Sequence, residues 1–259
     1  MKISNTIIEI PIFTPEYEAG TSYGYKGMKG NRLLDVLYKA SNGYCMYCYT
    51  RIEVDSKRFG QLEHSIERKY TKKTKKLENC VPNISVACPK CNLSFKKKGN
   101  TSRVLTPAQI QEYEESTCIG DICTTECEAY KKLKKQYIGR RKIILQPAGI
   151  ASESYSYKIQ YNLLKLEFEP NTTEEYTQEE NNFIRQHIKQ FNLNDSQYRT
   201  REILRCCEDI INGDITLRKG KYNNYIVDLF MDKLEGLSSQ DKIKLCTVIY
   251  TIGKSKRII

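Results

Sequence analysis

Two cysteine pairs, Cys45-Met46-Tyr47-Cys48 and Cys88-Pro89-Lys90-Cys91, constrain this chain more than any other feature. Two-residue spacing lets both thiolates of a knuckle face one ion. Two knuckles then complete a tetrahedral four-sulfur shell of the kind that holds zinc. Such a shell has no open coordination position, so the metal is expected to be structural. A redox role suits one lone pair better than two.

The compartment agrees. No apolar run approaches the ~20 residues that span a bilayer. The first residues, MKISNTIIEIPIF, lack the apolar core and small-residue cleavage site of a signal peptide. A cytoplasmic location away from membranes is therefore expected, where paired thiols serve metals better than disulfides. Net charge is +11, and all of it lies in residues 1–142, which hold 26 Lys and Arg against 15 Asp and Glu. Residues 143–259 balance at 16 against 16. A basic half of this kind suits a polyanion partner, although a solvated surface gives the same count.

Hydrophobic periodicity organises the rest. Residues 6–13 read as a strand interrupted by Pro11, and Gly20, Gly24, Gly27 and Gly30 punctuate a loop. Helices are expected at 31–41, at 107–116 behind Pro107, and at 126–137. ILQPAG, YSYKIQY and LLKLEFEP read as short extended pieces. Helices follow at 176–191, 196–212 (capped by Asp195 or Ser196), 222–236 and 239–252. No internal repeat or long low-complexity tract occurs.

Between the knuckles lies Leu62-Glu63-His64, then a lysine-rich tract, then Pro82-Asn83-Ile84. The chain has two histidines. His187 falls on the apolar stripe of a helix, as a structural histidine does. His64 stands beside a carboxylate amid basic residues, and an imidazole with an ordinary pKa of ~6.5 suits a general base near neutrality.

These residues resemble the zinc-bearing branch of the H-N-H (ββα-metal) endonucleases. The likeness rests on Cys-x-x-Cys, Glu-His, and an Asn five residues before Cys-x-x-Cys-Asn. The resemblance implies a β-hairpin and helix wrapped round a catalytic Mg²⁺ or Mn²⁺, with His64 as the base that activates water. It makes Asn83 the residue that orients the loop and the base, and makes Asn92 and Glu63 ligands of the catalytic ion. Glu63 would reach the ion directly or through a water. Lys69, Lys72, Lys73, Lys75, Lys76, Lys96, Lys97 and Lys98 would then contact flanking phosphates, which position a substrate without reading its sequence. DNA is the implied substrate, with RNA left open.

A second resemblance covers ILQPAG, YKIQYN, LEFEPN and the run from Phe183 to Arg205, with Leu193-Asn194, Arg199 and Arg201. These are similar to the C-terminal half of H-N-H nucleases of Septu-type and retron-associated phage defence. That likeness implies a partner ATPase of the ABC/SMC type. The expected fold is α+β: a nuclease module with zinc knuckles at 1–105 and a mainly helical accessory, partner-binding region at 106–259. Cys118, Cys123 and Cys127 form a looser cluster without an assignment, and Cys206, Cys207 and Cys246 read as core. Two rivals remain. A non-catalytic zinc-ribbon module that binds nucleic acid or protein explains the thiols and lysines, but gives Glu63-His64, Asn83 and Asn92 no role. The other rival is a thiol oxidoreductase, which stoichiometric zinc resistant to mild reductant would exclude.

Overall fold

A computed structural model describes residues 6–97, 104–117, 123–153, 155–195, 200–213 and 218–258. The fold mixes α and β, as expected. The chain forms two compact units that interleave in sequence: residues 12–47 with 52–157, and residues 1–11 with 48–51 and 158–259. The expected break after residue 105 does not coincide with this division, because the two following helices pack with the cysteine-bearing segment. No helix is long and apolar enough to cross a membrane among the described residues.

The unit of residues 12–47 and 52–157 opens with α1 (Gly27–Ala40), which buries Leu33, Leu37 and Tyr38 on one face. Gly27 and Gly30 belong to this helix and not to a loop. Gly30 is required there, because a Cβ would lie 2.8 Å from the Tyr25 carbonyl oxygen. A two-residue hairpin, β2 (Glu53–Val54) and β3 (Lys57–Arg58), leads to β4 (Gln61–His64). After the short α2 (Lys76–Asn79), β4 pairs antiparallel with β5 (Ile84–Ala87), matching His64 to Ile84 and Glu63 to Ser85. A π-helical turn, Cys91–Phe95, follows in place of an ordinary α-helix.

Helices α3 (Pro107–Glu115) and α4 (Glu128–Arg140) complete this unit and pack on each other. Thr106 and Gln109 form a reciprocal capping box at the start of α3, with Pro107 at the first helical position. Helix α4 buries Tyr130, Leu133 and Tyr137, a three-and-four spacing along one face. The segment ILQPAG is not a strand. Ala148 and Gly149 adopt left-handed backbone (φ 63° and 68°), which breaks extended pairing.

The other unit carries an antiparallel sheet ordered β1-β6-β7, from Ile7–Glu9, Ile159–Asn162 and Glu167–Pro170. Strand β1 is shorter than the expected 6–13, since Pro11 has no N–H for the ladder. Among the described residues four helices follow: α5 (Gln178–Gln190), α6 (Thr200–Ile211), α7 (Tyr225–Glu235) and α8 (Ser239–Ser255). Helix α5 starts with a Thr177–Glu180 capping box, and α7 and α8 are capped by Asn224 and Ser238. Cys206, Cys207 and Cys246 are buried in α6 and α8, in keeping with their reading as core.

Candidate active site and thiolate cluster

The sulfurs of Cys45, Cys48, Cys88 and Cys91 lie within 4.8 Å of one another. A zinc ion at ~2.3 Å from each sulfur needs S–S edges of about 3.8 Å, so small adjustments close the shell. The four cysteines thus form a site that can hold a metal, and the chemistry of four thiolates suits zinc. Local bonds shape the knuckles. Met46 N–H donates to the Val86 carbonyl (3.1 Å), tying the first knuckle to β5. The Cys91 N–H points at Cys88 Sγ (3.4 Å). No second such cluster occurs among the described residues. Cys118 lies outside them, and Cys123 Sγ donates to the Thr125 carbonyl (2.9 Å).

His64 ends β4, and its ring is fixed from two sides. Nε2 lies 3.1 Å from the Glu78 carbonyl oxygen, which can only accept. Nε2 therefore carries the proton, and the neutral ring presents its lone pair at Nδ1. Tyr25 packs against the ring, with centroids 4.4 Å apart, and Arg68 covers Tyr25 at 4.9 Å. Burial pushes the His64 pKa below its ordinary value, against smaller opposing effects of the Glu78 carbonyl and Glu63. A neutral base at neutral pH is the result.

Asn83 is fully buried just before β5. Its Oδ1 accepts from Ile66 N–H (2.7 Å), and its Nδ2 donates to the carbonyls of Ile66 (2.9 Å) and Leu77 (3.2 Å). The Asn83 carbonyl also takes the Ser65 N–H (2.8 Å). The side chain thus ties the loop that leaves His64 to the turn before β5.

Glu63 alternates to the other side of β4 and is only 3% exposed. Its Oε2 accepts from Tyr47 OH (2.8 Å) and Ser85 Oγ (3.0 Å). Burial and then Glu63 itself hold the Tyr47 phenol well above its ordinary pKa, so it stays a donor. Glu63 Oε1 pairs with the ammonium of Lys96, which also donates to the His64 carbonyl. Asn92 sits in the π-turn and donates from Nδ2 to Gln61 Oε1 (3.1 Å). His64, Glu63, Asn92, Lys96, Lys97 and Arg68 line one open cavity of about 610 Å³. Glu67 and Lys69 lie in the same wall.

The lysines divide. Lys69, Lys72, Lys73, Lys75 and Lys97 are exposed. Lys76 is half-buried, with its ammonium on the carbonyls of Tyr113 and Ser116. Lys96 is 4% exposed and is no surface residue; the carboxylate of Glu63 accounts for its burial. Lys98 lies outside the described residues. Tyr25, Tyr47 and the Glu78 carbonyl escaped sequence reasoning, since aromatic and backbone partners carry no spacing signal. The chain matches no protein-family model, no curated protein and no solved structure.

Proposed function

We propose that the chain is a metal-dependent endonuclease of the H-N-H kind that hydrolyses nucleic-acid phosphodiester bonds, DNA foremost. What carries the reading is His64: a buried, neutral imidazole of fixed tautomer whose Nδ1 is unprotonated, in the wall of a cavity shared with Asn92, Arg68, Lys69 and Lys97. Nδ1 takes the proton of an attacking water. Arg68, Lys69 and Lys97 bind the flanking phosphates. Asn83 holds the loop from which His64 works.

The resemblance makes Glu63 and Asn92 the ligands of a catalytic Mg²⁺ or Mn²⁺, and oxygen donors suit such an ion, but both Glu63 oxygens are already engaged, Oε1 by Lys96 and Oε2 by Tyr47 and Ser85. Such an ion supplies charge stabilisation at the phosphate and the leaving oxygen. Zinc at the four cysteines would be structural. Membership of the H-N-H fold, a role in phage defence and an ABC/SMC-type ATPase partner belong to this proposal and rest on the resemblance in sequence. One observation favours a non-catalytic zinc module instead: Glu63 already carries the Lys96 ammonium.

Plasmid nicking by the full chain with Mg²⁺ or Mn²⁺ tests the reading, beside His64→Ala and an EDTA control. Nicking by the wild type alone, with binding retained in His64→Ala, supports it. Binding without nicking in both proteins selects the zinc module.

A further inference from the structure

We infer that the cavity around His64 has a further activity, the cleavage of RNA by its own 2′-hydroxyl with no divalent ion. The inference shares His64 and the basic wall with the proposed nuclease, and goes beyond it in asking nothing of an ion at Glu63. It starts from a misfit. Glu63 is the expected ligand, yet its Oε1 holds the Lys96 ammonium, and its Oε2 takes the hydroxyls of Tyr47 (2.8 Å) and Ser85 (3.0 Å). A buried carboxylate with both oxygens engaged and its charge balanced offers a divalent cation nothing to bind. The rest of the wall deepens the misfit: Arg68, Lys69, Lys96 and Lys97 line the cavity against two carboxylates, Glu63 and Glu67. Such a wall repels a cation and attracts an anion.

What the arrangement supports as it stands is attack by a nucleophile that needs no ion to activate it. Water is a poor one, since it must be captured as well as deprotonated. The ribose 2′-hydroxyl is already bonded beside its phosphate, and well-oriented intramolecular attack reaches effective molarities of roughly 10⁵–10⁸ M. The cavity supplies the other parts. His64 Nε2 is held by the Glu78 carbonyl, and Nδ1 has no partner among the described residues. Nδ1 takes the 2′-hydroxyl proton as the 2′-oxygen bonds to phosphorus. Arg68, Lys69 and Lys97 stabilise the charge that gathers on the phosphoryl oxygens. The bond from phosphorus to the 5′-oxygen then breaks, and that oxygen takes a proton from solvent water. The imidazolium returns its proton to the hydroxide so formed. RNA thus becomes a 2′,3′-cyclic phosphate and a 5′-hydroxyl end, with no water consumed. Gln61, Asn92 and Leu93 line the same cavity, Leu93 at 56% exposed, and such amide and apolar groups suit an unstacked base. Single-stranded RNA is therefore the substrate class, and DNA, which lacks the hydroxyl, is not cut in this way.

The test incubates the zinc-loaded full chain with a single-stranded RNA oligonucleotide in buffer freed of magnesium and manganese by chelating resin. Mass spectrometry reads the ends of the products. Cleavage should leave 2′,3′-cyclic phosphate and 5′-hydroxyl ends, and the 2′-O-methyl form of the same oligonucleotide should stay intact. His64→Ala, prepared alongside, should be slower by about a hundredfold or more. His64→Gln, which keeps a donor for the Glu78 carbonyl, serves if the Ala variant loses its zinc. RNA left intact by the wild type overturns the inference, as do 5′-phosphate ends, cleavage of the 2′-O-methyl form, or an equal rate in the folded variant. Plasmid nicking that needs Mg²⁺, with RNA intact in the metal-free buffer, sinks this inference and leaves the proposed nuclease standing. RNA cut in that buffer, with plasmid never nicked, does the reverse.

Discussion

The side chain of Asn83 grips the backbone of Ile66 at both its N–H and its carbonyl, two residues beyond His64. Few side chains can do this, since the grip needs an acceptor and a donor on one planar group. Asn83→Ala leaves the Ile66 N–H and two carbonyls without their partner, at about 1–3 kcal/mol for each buried group. Asn83→Asp keeps the acceptor but turns a carboxylate oxygen toward the carbonyls of Ile66 and Leu77, so it should be no milder at neutral pH. Hydrogen exchange at the Ile66 amide should accelerate in both variants while zinc stays bound. Unchanged Ile66 protection in Asn83→Ala would show that the loop holds itself.

Zinc should be inseparable from the fold of the segments that carry its four cysteines. Structural zinc in small domains contributes roughly 10–16 kcal/mol of apparent binding energy. Cys45 and Cys88 stand at the two chain segments the cluster joins. Either one replaced by serine should drop bound zinc from one per chain to near none, by elemental analysis, and lower the thermal midpoint sharply. Cys80→Ser is the control: Cys80 is buried but outside the cluster, and zinc should stay.

The legible parts of this molecule were those in which local chemistry dictates geometry. The two knuckles announced a four-thiolate cluster, and Pro107 opens the helix expected behind it. His187 proved buried on its helix, as its apolar stripe implied. What stayed hidden depends on contacts between residues distant in sequence. Lys96 read as one of several surface lysines, because a run of three lysines gives no sign that one turns inward to a carboxylate 33 residues earlier. Tyr25 reaches His64 only after α1 and β4 are in place. Residues 107–140 return to the cysteine-bearing unit through burial of Tyr130 and Tyr137, which periodicity shows as a helix face without naming its partner.

Gly60 marks where β4 begins and has no room for a side chain. A Cβ there would lie 2.5 Å from Ile52 Cδ1 and 2.7 Å from the Tyr38 hydroxyl. That hydroxyl takes the Gly60 N–H (2.7 Å) and donates to the Ile52 carbonyl (3.2 Å), so it cannot retreat without breaking both bonds. Overpacking of this kind costs about 1–3 kcal/mol. Gly60→Ala should lower the denaturant midpoint of its unit. Adding Tyr38→Phe should deepen the loss, because Ile52 Cδ1 stays in the way and the Gly60 N–H loses its acceptor. Full stability in Gly60→Ala alone would mean that β4 can shift.

Acid should weaken the other unit through His187, which is 1% exposed on α5 with its ring 4.8 Å from that of Phe191. Burial pushes its pKa down to about 3. The unfolded chain has an ordinary histidine near ~6.5. Between these two values the unfolded state takes up a proton that the folded state refuses, so stability falls as pH falls. The stabilising contribution is whole above the unfolded pKa and is lost progressively on the way down to the folded one. The slope approaches ~1.4 kcal/mol per pH unit, which predicts a loss of about 1.4 kcal/mol at pH 5.5 relative to neutrality. His187→Leu keeps the apolar stripe of Phe183, Ile184 and Ile188 and should remove this component. Urea titrations of both proteins at pH 7.5 and 5.5 measure it, because the remaining groups, His64 included, cancel in the comparison. Parallel losses in the two proteins would mean that the folded state accommodates a charged His187.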